Sequence, residues 1–190
     1  MHYCTVLITK QFPTDEVIND ILMPYNEEIF YEKKNEGEEI EYPIFMWDWY
    51  QLGGRYSGQI KLNIDKKEEE YKWGYMILEP RNGRLFRSWL LDQVSNAKNN
   101  SFYFEEDYFP SMGERDGFLY VDAAKIKDIK NIEEIGCFNF IDKDNRAFTR
   151  EYYNGKGWVE ENSKEDFEKQ FHNALINSPE CYACVIDIHD

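Results

Sequence analysis

The sequence has little positive charge for its size. Its 190 residues include 22 lysines and arginines against 37 aspartates and glutamates, which gives a formal net charge of −15. A surface this acidic repels nucleic acid and anionic membranes at long range and attracts basic surfaces. We therefore expect no direct binding to duplex nucleic acid, whereas the charge is compatible with a partner protein that has a basic surface.

Long apolar runs are also missing. No stretch of about 18 apolar residues occurs, so no membrane span is expected. The opening residues MHYCTVLITK lack the charged region and the long apolar region of a signal peptide. Four cysteines in a chain without such a leader are typical of reduced thiols in the cytosol, which is the expected location.

Aromatic and apolar residues are plentiful, at 17% and 42% of the chain. A chain of this length can bury them in one core. β-Branched runs and two-residue alternation predict strands at 2–9, 56–64, 71–78, 117–121, 136–141, 147–153, 157–160 and 182–189. The segments 56–64 and 71–78 are predicted to form a hairpin, and 182–189 is apolar enough for a central strand.

Helical spacing and capping signals predict helices after Thr14, at 87–98, at 123–129 and after Ser163. Residues 26–42 are rich in glutamate without clear periodicity, which is typical of an acidic surface loop. Together these elements predict a single α+β domain over residues 1–190, with a mainly antiparallel sheet and helices packed on one side.

The stretch WDWYQLGGRYSG, residues 47–58, concentrates aromatic rings, glycines and one arginine. Glycine permits positive φ and the close approach of a ligand, an arginine fork suits carboxylate or phosphate, and aromatic rings stack on bases. We therefore predict a ligand site formed by Trp47, Asp48, Trp49, Tyr50, Gly53, Gly54, Arg55 and Tyr56. The alternative is a glycine bulge between strands, with Arg55 paired to Asp48 or another acid.

This stretch resembles a W-D-W-Y-x-x-G-G-R-[WY]-x-G signature of uncharacterised phage and bacterial proteins. Gly58 completes the match, and Asp187 and His189 match the closing V-x-D-x-H strand of those proteins. Tyr56 stands where that signature more often has tryptophan, and residues 42–46 stand where it has an Asn-Pro segment. The resemblance implies a shared local structure and a phage or mobile-element setting, hence the host cytosol, but no particular activity.

Three arginines, Arg81, Arg84 and Arg87, surround an Asn-Gly turn. Such a cluster, at the start of a predicted helix, could bind phosphate. It would add to the ligand site if folding brings the turn beside Arg55. The alternative is that these arginines neutralise nearby acids on the protein surface.

Asp187 and His189 are two residues apart on the closing strand and so share one face. They could act as acid and base, or as two metal ligands. The alternative is that they are ordinary polar residues on a solvent face. The other histidines, His2 and His172, are interpreted as incidental.

Cys181 and Cys184 form a C-x-x-C, which is half of a zinc site. A closed site needs four ligands, and Cys4 with His2 is the completion that neighbouring terminal strands would offer. Small buried thiols in strands explain these cysteines more simply. No metal or cofactor is therefore predicted.

Three functions fit these features. The favoured one is a binding protein, rather than an enzyme, that sequesters a small anionic ligand such as a nucleotide or a nucleotide-derived defence signal. The second is an acidic anti-defence inhibitor that blocks a basic, nucleic-acid-binding surface of a host protein. The third is a hydrolase that uses Asp187 and His189.

Overall fold

The structure is a computed structural model that describes residues 1–66, 70–72, 75–76, 79–81, 84–86, 103–104, 113–153 and 156–190. Its α-helices are α1 Asp15–Leu22, α2 Glu27–Asn35 and α3 Lys164–Ile176, and its 3-10 helices are Met23–Tyr25, Ile126–Asp128 and Ile132–Glu134. Its strands are β1 His2–Thr9, β2 Trp49–Gly54, β3 Ile60–Asn63, β4 Tyr71–Lys72, β5 Tyr75–Met76, β6 Glu79–Arg81, β7 Arg84–Phe86, β8 Tyr103–Phe104, β9 Gly113–Arg115, β10 Phe118–Val121, β11 Ala123–Lys125, β12 Asn139–Ile141, β13 Ala147–Thr149, β14 Glu151–Tyr153, β15 Trp158–Glu160 and β16 Tyr182–His189.

The main sheet is built around β16. Its strands run in the order β13-β12-β1-β16-β11-β4, and β2 also pairs with β16. β1 pairs antiparallel with β16 over its full length, from His2 opposite His189 to Thr9 opposite Tyr182. The pairs β1–β12 and β2–β5 are parallel, so the sheet is mixed but mainly antiparallel. These pairings confirm the predicted α+β class and the predicted central strand at 182–189.

The two faces of β16 contact different helices. Ala183 and Val185 belong to a buried cluster that contains the apolar stripe of α3, whose members are Phe167, Phe171 and Leu175. Cys184 and Ile186 belong to a second cluster, which contains Ile18 and Leu22 of α1. Each fully buried leucine or phenylalanine side chain stabilises the fold by about 1.5–3 kcal/mol. The helices are therefore divided between both faces, which corrects the expectation that they pack on one side.

Helices α1 and α3 begin at the predicted caps. The Thr14 hydroxyl accepts a hydrogen bond from the Val17 backbone N–H at 3.2 Å. The Ser163 hydroxyl likewise accepts one from the Asp166 N–H at 3.2 Å. Each side chain satisfies a backbone donor that the first helical turn cannot.

The predicted loop at 26–42 is wrong over its first part, because this segment contains α2. Asn26 caps the helix by accepting a hydrogen bond from the Ile29 backbone N–H at 3.1 Å. Acids in the first turn and lysines in the last turn both match the helix dipole. Phe30 is the buried side chain of this helix, so the segment carries little apolar periodicity.

Two other predicted elements also differ from the structure. β3 pairs with β10 instead of forming a hairpin with 71–78, and 71–78 contains the separate strands β4 and β5. The helix predicted at 123–129 is the short strand β11 followed by a 3-10 turn. A short apolar run fits a strand or a helix equally well. Here the alanines of β11 form a strand because they pair with β16, and the local sequence does not show that pairing. The helix predicted at 87–98 lies outside the described residues.

No helix in the described part of the chain is both long enough and apolar enough to cross a bilayer.

Candidate functional site

The glycine pair at the end of β2 closes a loop over two buried carboxylates. Gly53 and Gly54 have φ of 72° and 52°, in the left-handed region that favours glycine. A Cβ on Gly53 would lie 2.6 Å from Cγ of Asp122, and a Cβ on Gly54 would lie 2.4 Å from Cβ of Asp187. The close approach predicted from these glycines is thus made by the protein's own aspartates.

Asp122 fixes the loop that follows the glycine pair through hydrogen bonds. Its side chain is fully buried, and it accepts hydrogen bonds from the Ser57 hydroxyl at 2.8 Å and from the Gly58 backbone N–H at 2.6 Å. A buried carboxylate is tolerated only when such donors replace its lost hydration. Asp122 therefore fixes the shape of the turn that follows the glycine pair.

Asp187 connects the same loop to the N-terminal strand. It is fully buried, and its Oδ2 accepts a hydrogen bond from the Arg55 backbone N–H at 2.9 Å. Its Oδ1 accepts one from Nδ1 of His2, also at 2.9 Å. The guanidinium Nε of Arg55 lies 4.0 Å from Oδ2. Arg55 is therefore paired with Asp187. This agrees with the alternative that Arg55 pairs with an acid of the protein itself, but the acid is not Asp48.

A second pair, between His189 and Asp48, lies beside the first. Nδ1 of His189 donates to Oδ1 of Asp48 at 2.8 Å, and the Trp49 backbone N–H donates to the same oxygen at 2.7 Å. Burial raises the pKa of Asp48, but these hydrogen bonds lower it more, so the pKa lies below its ordinary value.

The two imidazoles are in contact. The ring centroids of His2 and His189 are 4.8 Å apart, because strand pairing places these residues opposite each other. The Trp49 indole stacks on His189 with an interplanar angle of 9° and meets the edge of His2, both at 5.2 Å. We call His2, His189, Asp48, Asp187 and Trp49 the histidine cluster.

Both imidazoles of the histidine cluster are held in one tautomer. A neutral ring whose Nδ1–H donates to a carboxylate carries its lone pair on Nε2, so that nitrogen can accept a proton. The side chains of His2 and His189 are 17% and 32% exposed, so both are partly open to solvent. The cluster therefore presents two partly exposed imidazoles side by side, each oriented by its own carboxylate.

Sequence reasoning named every member of the histidine cluster except His2 as a candidate site residue. Asp187 was expected to act with His189, whereas it binds His2, and His189 binds Asp48. The signal that could have found this is the similar length of the two terminal strands, because full antiparallel pairing brings their outer ends together.

The other aromatic residues of the motif do not form one pocket wall. Trp47 is 7% exposed, and its indole N–H donates to the Leu22 carbonyl at 2.7 Å, so it packs in the core instead of stacking on a ligand. Tyr50 is partly buried against the Trp47 ring. The Tyr56 hydroxyl donates to the His2 carbonyl at 3.1 Å, and burial raises the pKa of Tyr56.

The arginine cluster stays a prediction. Arg81 and Arg84 are opposite each other in the antiparallel pair β6–β7, which fits the predicted turn between them. Their side chains, and Arg87 as a whole, lie outside the described residues.

The C-x-x-C cysteines lie on opposite faces of the sheet. Cys181 belongs to the cluster that contains α3, and Cys184 belongs to the cluster that contains α1. Two thiols on opposite faces cannot bind one zinc ion. Within the residues that the structure describes, no group of three or more histidine, cysteine or acidic side chains is arranged to hold a metal ion.

The arrangement defines a candidate acid–base site on a mixed, mainly antiparallel sheet, at the ends of β1 and β16 and the start of β2. Comparison of the chain with protein-family models, with curated proteins and with solved structures found no match.

Proposed function

We propose that the protein is a hydrolase that uses His2 and His189 as a proton-transferring pair on a small, phosphate-containing, nucleotide-like molecule. The observation that carries the proposal is the contact between two imidazoles, 4.8 Å apart, each with Nδ1 on its own carboxylate. A positioned acid and base contribute about 10²–10⁴-fold to such reactions.

The chemistry requires one neutral and one protonated imidazole. The neutral ring takes a proton from water as the water oxygen bonds to phosphorus. The protonated ring gives its proton to the leaving oxygen as the phosphorus–oxygen bond breaks. Asp187 and Asp48 orient the rings and stabilise whichever is positively charged, in the way that a carboxylate supports a histidine base in hydrolytic triads.

Two features of the site support an anionic, nucleotide-like substrate. The Arg55 guanidinium lies beside Asp187 and next to the histidine cluster, and it is a cationic donor in a protein of net charge −15. Trp49 is 39% exposed, so its indole leaves an apolar surface beside the two imidazoles open to a bound substrate. A phage setting and a cytosolic location for this activity rest on the motif resemblance.

The test is turnover of a panel of mononucleotides, dinucleotides and cyclic dinucleotides, with products measured by mass spectrometry. His2→Ala and His189→Ala should each reduce the rate on any substrate found by about 100-fold or more. His172→Ala is the matched control, because this histidine lies on α3 and bonds the Ile135 carbonyl outside the cluster. Equal rates in all three variants would contradict the proposal.

Sequestration without turnover is the second candidate. It is favoured by the position of Arg55 beside Asp187 and of the partly exposed Trp49 beside His2, because Asp187 and His2 are hydrogen-bonded to each other. A nucleotide bound in this way would raise the melting temperature and be recovered unchanged. Arg55→Ala should then remove the stabilisation, whereas His189→Ala should retain most of it.

A further inference from the structure

A surface cavity of about 430 Å³ opens beside His2. This volume is within the range of small-molecule sites in proteins. The side chains that line it include His2, Tyr3, Tyr56, Gln59 and Glu134, and its wall is completed by residues 136–138. One imidazole of the histidine cluster therefore borders a space large enough for a heterocyclic ring.

We propose that this cavity binds the base of the substrate, and that it prefers a base with adjacent N–H donors such as guanine. The inference rests on the proposed function and adds the part of the substrate that determines specificity. The reacting phosphate would then lie on the other side of His2, towards Arg55.

The walls of the cavity suit a flat, uncharged group. The rings of Tyr3 and Phe138 lie 5.0 Å apart at an interplanar angle of 35° and form an apolar side. The Cys4 thiol donates to the Gly136 carbonyl at 3.3 Å, and burial raises the pKa of Cys137, so both thiols are neutral parts of the wall. No lysine or arginine among the described residues lines the cavity, so it offers no partner for a phosphate.

The Gln59 side chain at the cavity is held in place. The Gln59 Oε1 accepts a hydrogen bond from the Gly136 backbone N–H at 3.3 Å, and its Nε2 lies 3.4 Å from Sγ of Cys4. The Asn131 amide donates to the Gln59 carbonyl at 2.9 Å, which fixes the backbone there. A ligand therefore meets a formed surface, which lowers the ordering cost of binding.

Glu134 gives the cavity its chemical preference. An ionised carboxylate only accepts hydrogen bonds, and its two oxygens can receive two parallel donors. Guanine presents its ring N–H and its amino group side by side, adenine and cytosine present an amino group alone, and uracil presents a single ring N–H. Guanosine should therefore bind most tightly and uridine most weakly.

Calorimetry with free nucleosides tests this without requiring turnover. Guanosine should bind at least tenfold more tightly than uridine, and inorganic phosphate should not compete for the cavity. Glu134→Gln should remove most of the preference for guanosine, because an amide replaces one acceptor by a donor. Equal binding of both nucleosides by the unchanged protein would overturn the inference.

Gly136→Leu tests the location. No described atom lies within 4 Å of a Cβ built on Gly136, and Gly136 lines the cavity, so a larger side chain there is expected to be tolerated by the fold and to narrow the cavity. Gly157→Leu is the control, since its Cβ also meets no described atom within 4 Å and residue 157 does not line the cavity. Guanosine binding should be lost in the first variant and kept in the second, with melting temperatures confirming that both are folded.

The two proposals fail in different ways. Loss of the guanosine preference while the histidine-dependent turnover persists would overturn the cavity proposal alone. Guanosine binding that depends on Gly136 but occurs without turnover of any nucleotide would contradict the hydrolase proposal and support the cavity. Guanosine binding that is unchanged in Gly136→Leu would overturn the assignment of the cavity.

Discussion

Gly53→Ala is expected to destabilise the protein much more than an alanine at another left-handed glycine. Any alanine with positive φ costs about 1–2 kcal/mol. At Gly53 the new Cβ would also lie 2.6 Å from Cγ of Asp122. That carboxylate cannot retreat easily, because it binds the Ser57 hydroxyl and the Gly58 N–H. Overpacking of this kind adds about 1–3 kcal/mol, so a total loss of about 2–5 kcal/mol is expected.

Gly117→Ala separates the two contributions. Gly117 has φ of 77°, and a Cβ added there would have no described atom within 4 Å. It therefore reports the backbone cost alone, and effects on the unfolded chain are shared with Gly53→Ala and cancel in the difference. Urea unfolding followed by tryptophan fluorescence gives the free energy of unfolding of each variant.

A double-mutant cycle with Asp122→Ala identifies the contact responsible. Asp122→Ala alone should cost about 1–3 kcal/mol, because the donors of Ser57 and Gly58 lose their acceptor. Adding Gly53→Ala to that background should then cost no more than Gly117→Ala. The reasoning is refuted if Gly53→Ala matches Gly117→Ala within about 0.5 kcal/mol in the unchanged background, or if its extra cost persists without the Asp122 carboxylate.

Three further predictions concern capping, reactivity and pH. Ser163→Ala should lower the free energy of unfolding by about 1 kcal/mol in urea, because the α3 cap is lost. The Cys184 thiol should react with iodoacetamide at about pH 8 only after unfolding, as mass spectrometry would show, because burial raises its pKa. The pKa of Asp48 is lowered in the fold, so the stability it contributes is present above about pH 4 and lost as pH falls through the lower folded value. Asp48→Asn should flatten the pH dependence of stability in that acidic range, and an unchanged profile would contradict the role of His189 as its partner.

Features with a local physical signal were predictable from the sequence. The strands at both ends have β-branched and aromatic runs, and the helices α1 and α3 have capping hydroxyls followed by apolar stripes. The helix α2 was not predictable in this way, because Phe30 alone is buried and the surrounding glutamates resemble those of a loop. Helix capping by Asn26 was the available signal.

Features that depend on strand pairing were not predictable from local patterns. The glycine pair was identified as a special backbone position, but the reason for it is the distant carboxylates of Asp122 and Asp187. Asp187 and His189 were identified as a candidate acid and base, but their true partners follow from the register between β1, β16 and β2. Alternation along one strand gives the face of a residue and not its neighbour across the sheet.

The full-length antiparallel pairing of β1 with β16 makes the histidine cluster depend on contacts between residues near the two ends of the sequence. His2 and Asp187 are 185 positions apart in the sequence. A local fluctuation that separates β1 from β16 at their outer ends would break the His2–Asp187 pair and would at the same time separate the two imidazole rings. Such long-range pairing forms slowly during folding. The proposed acid–base pair would therefore be complete only after the first and last strands have paired over their full length.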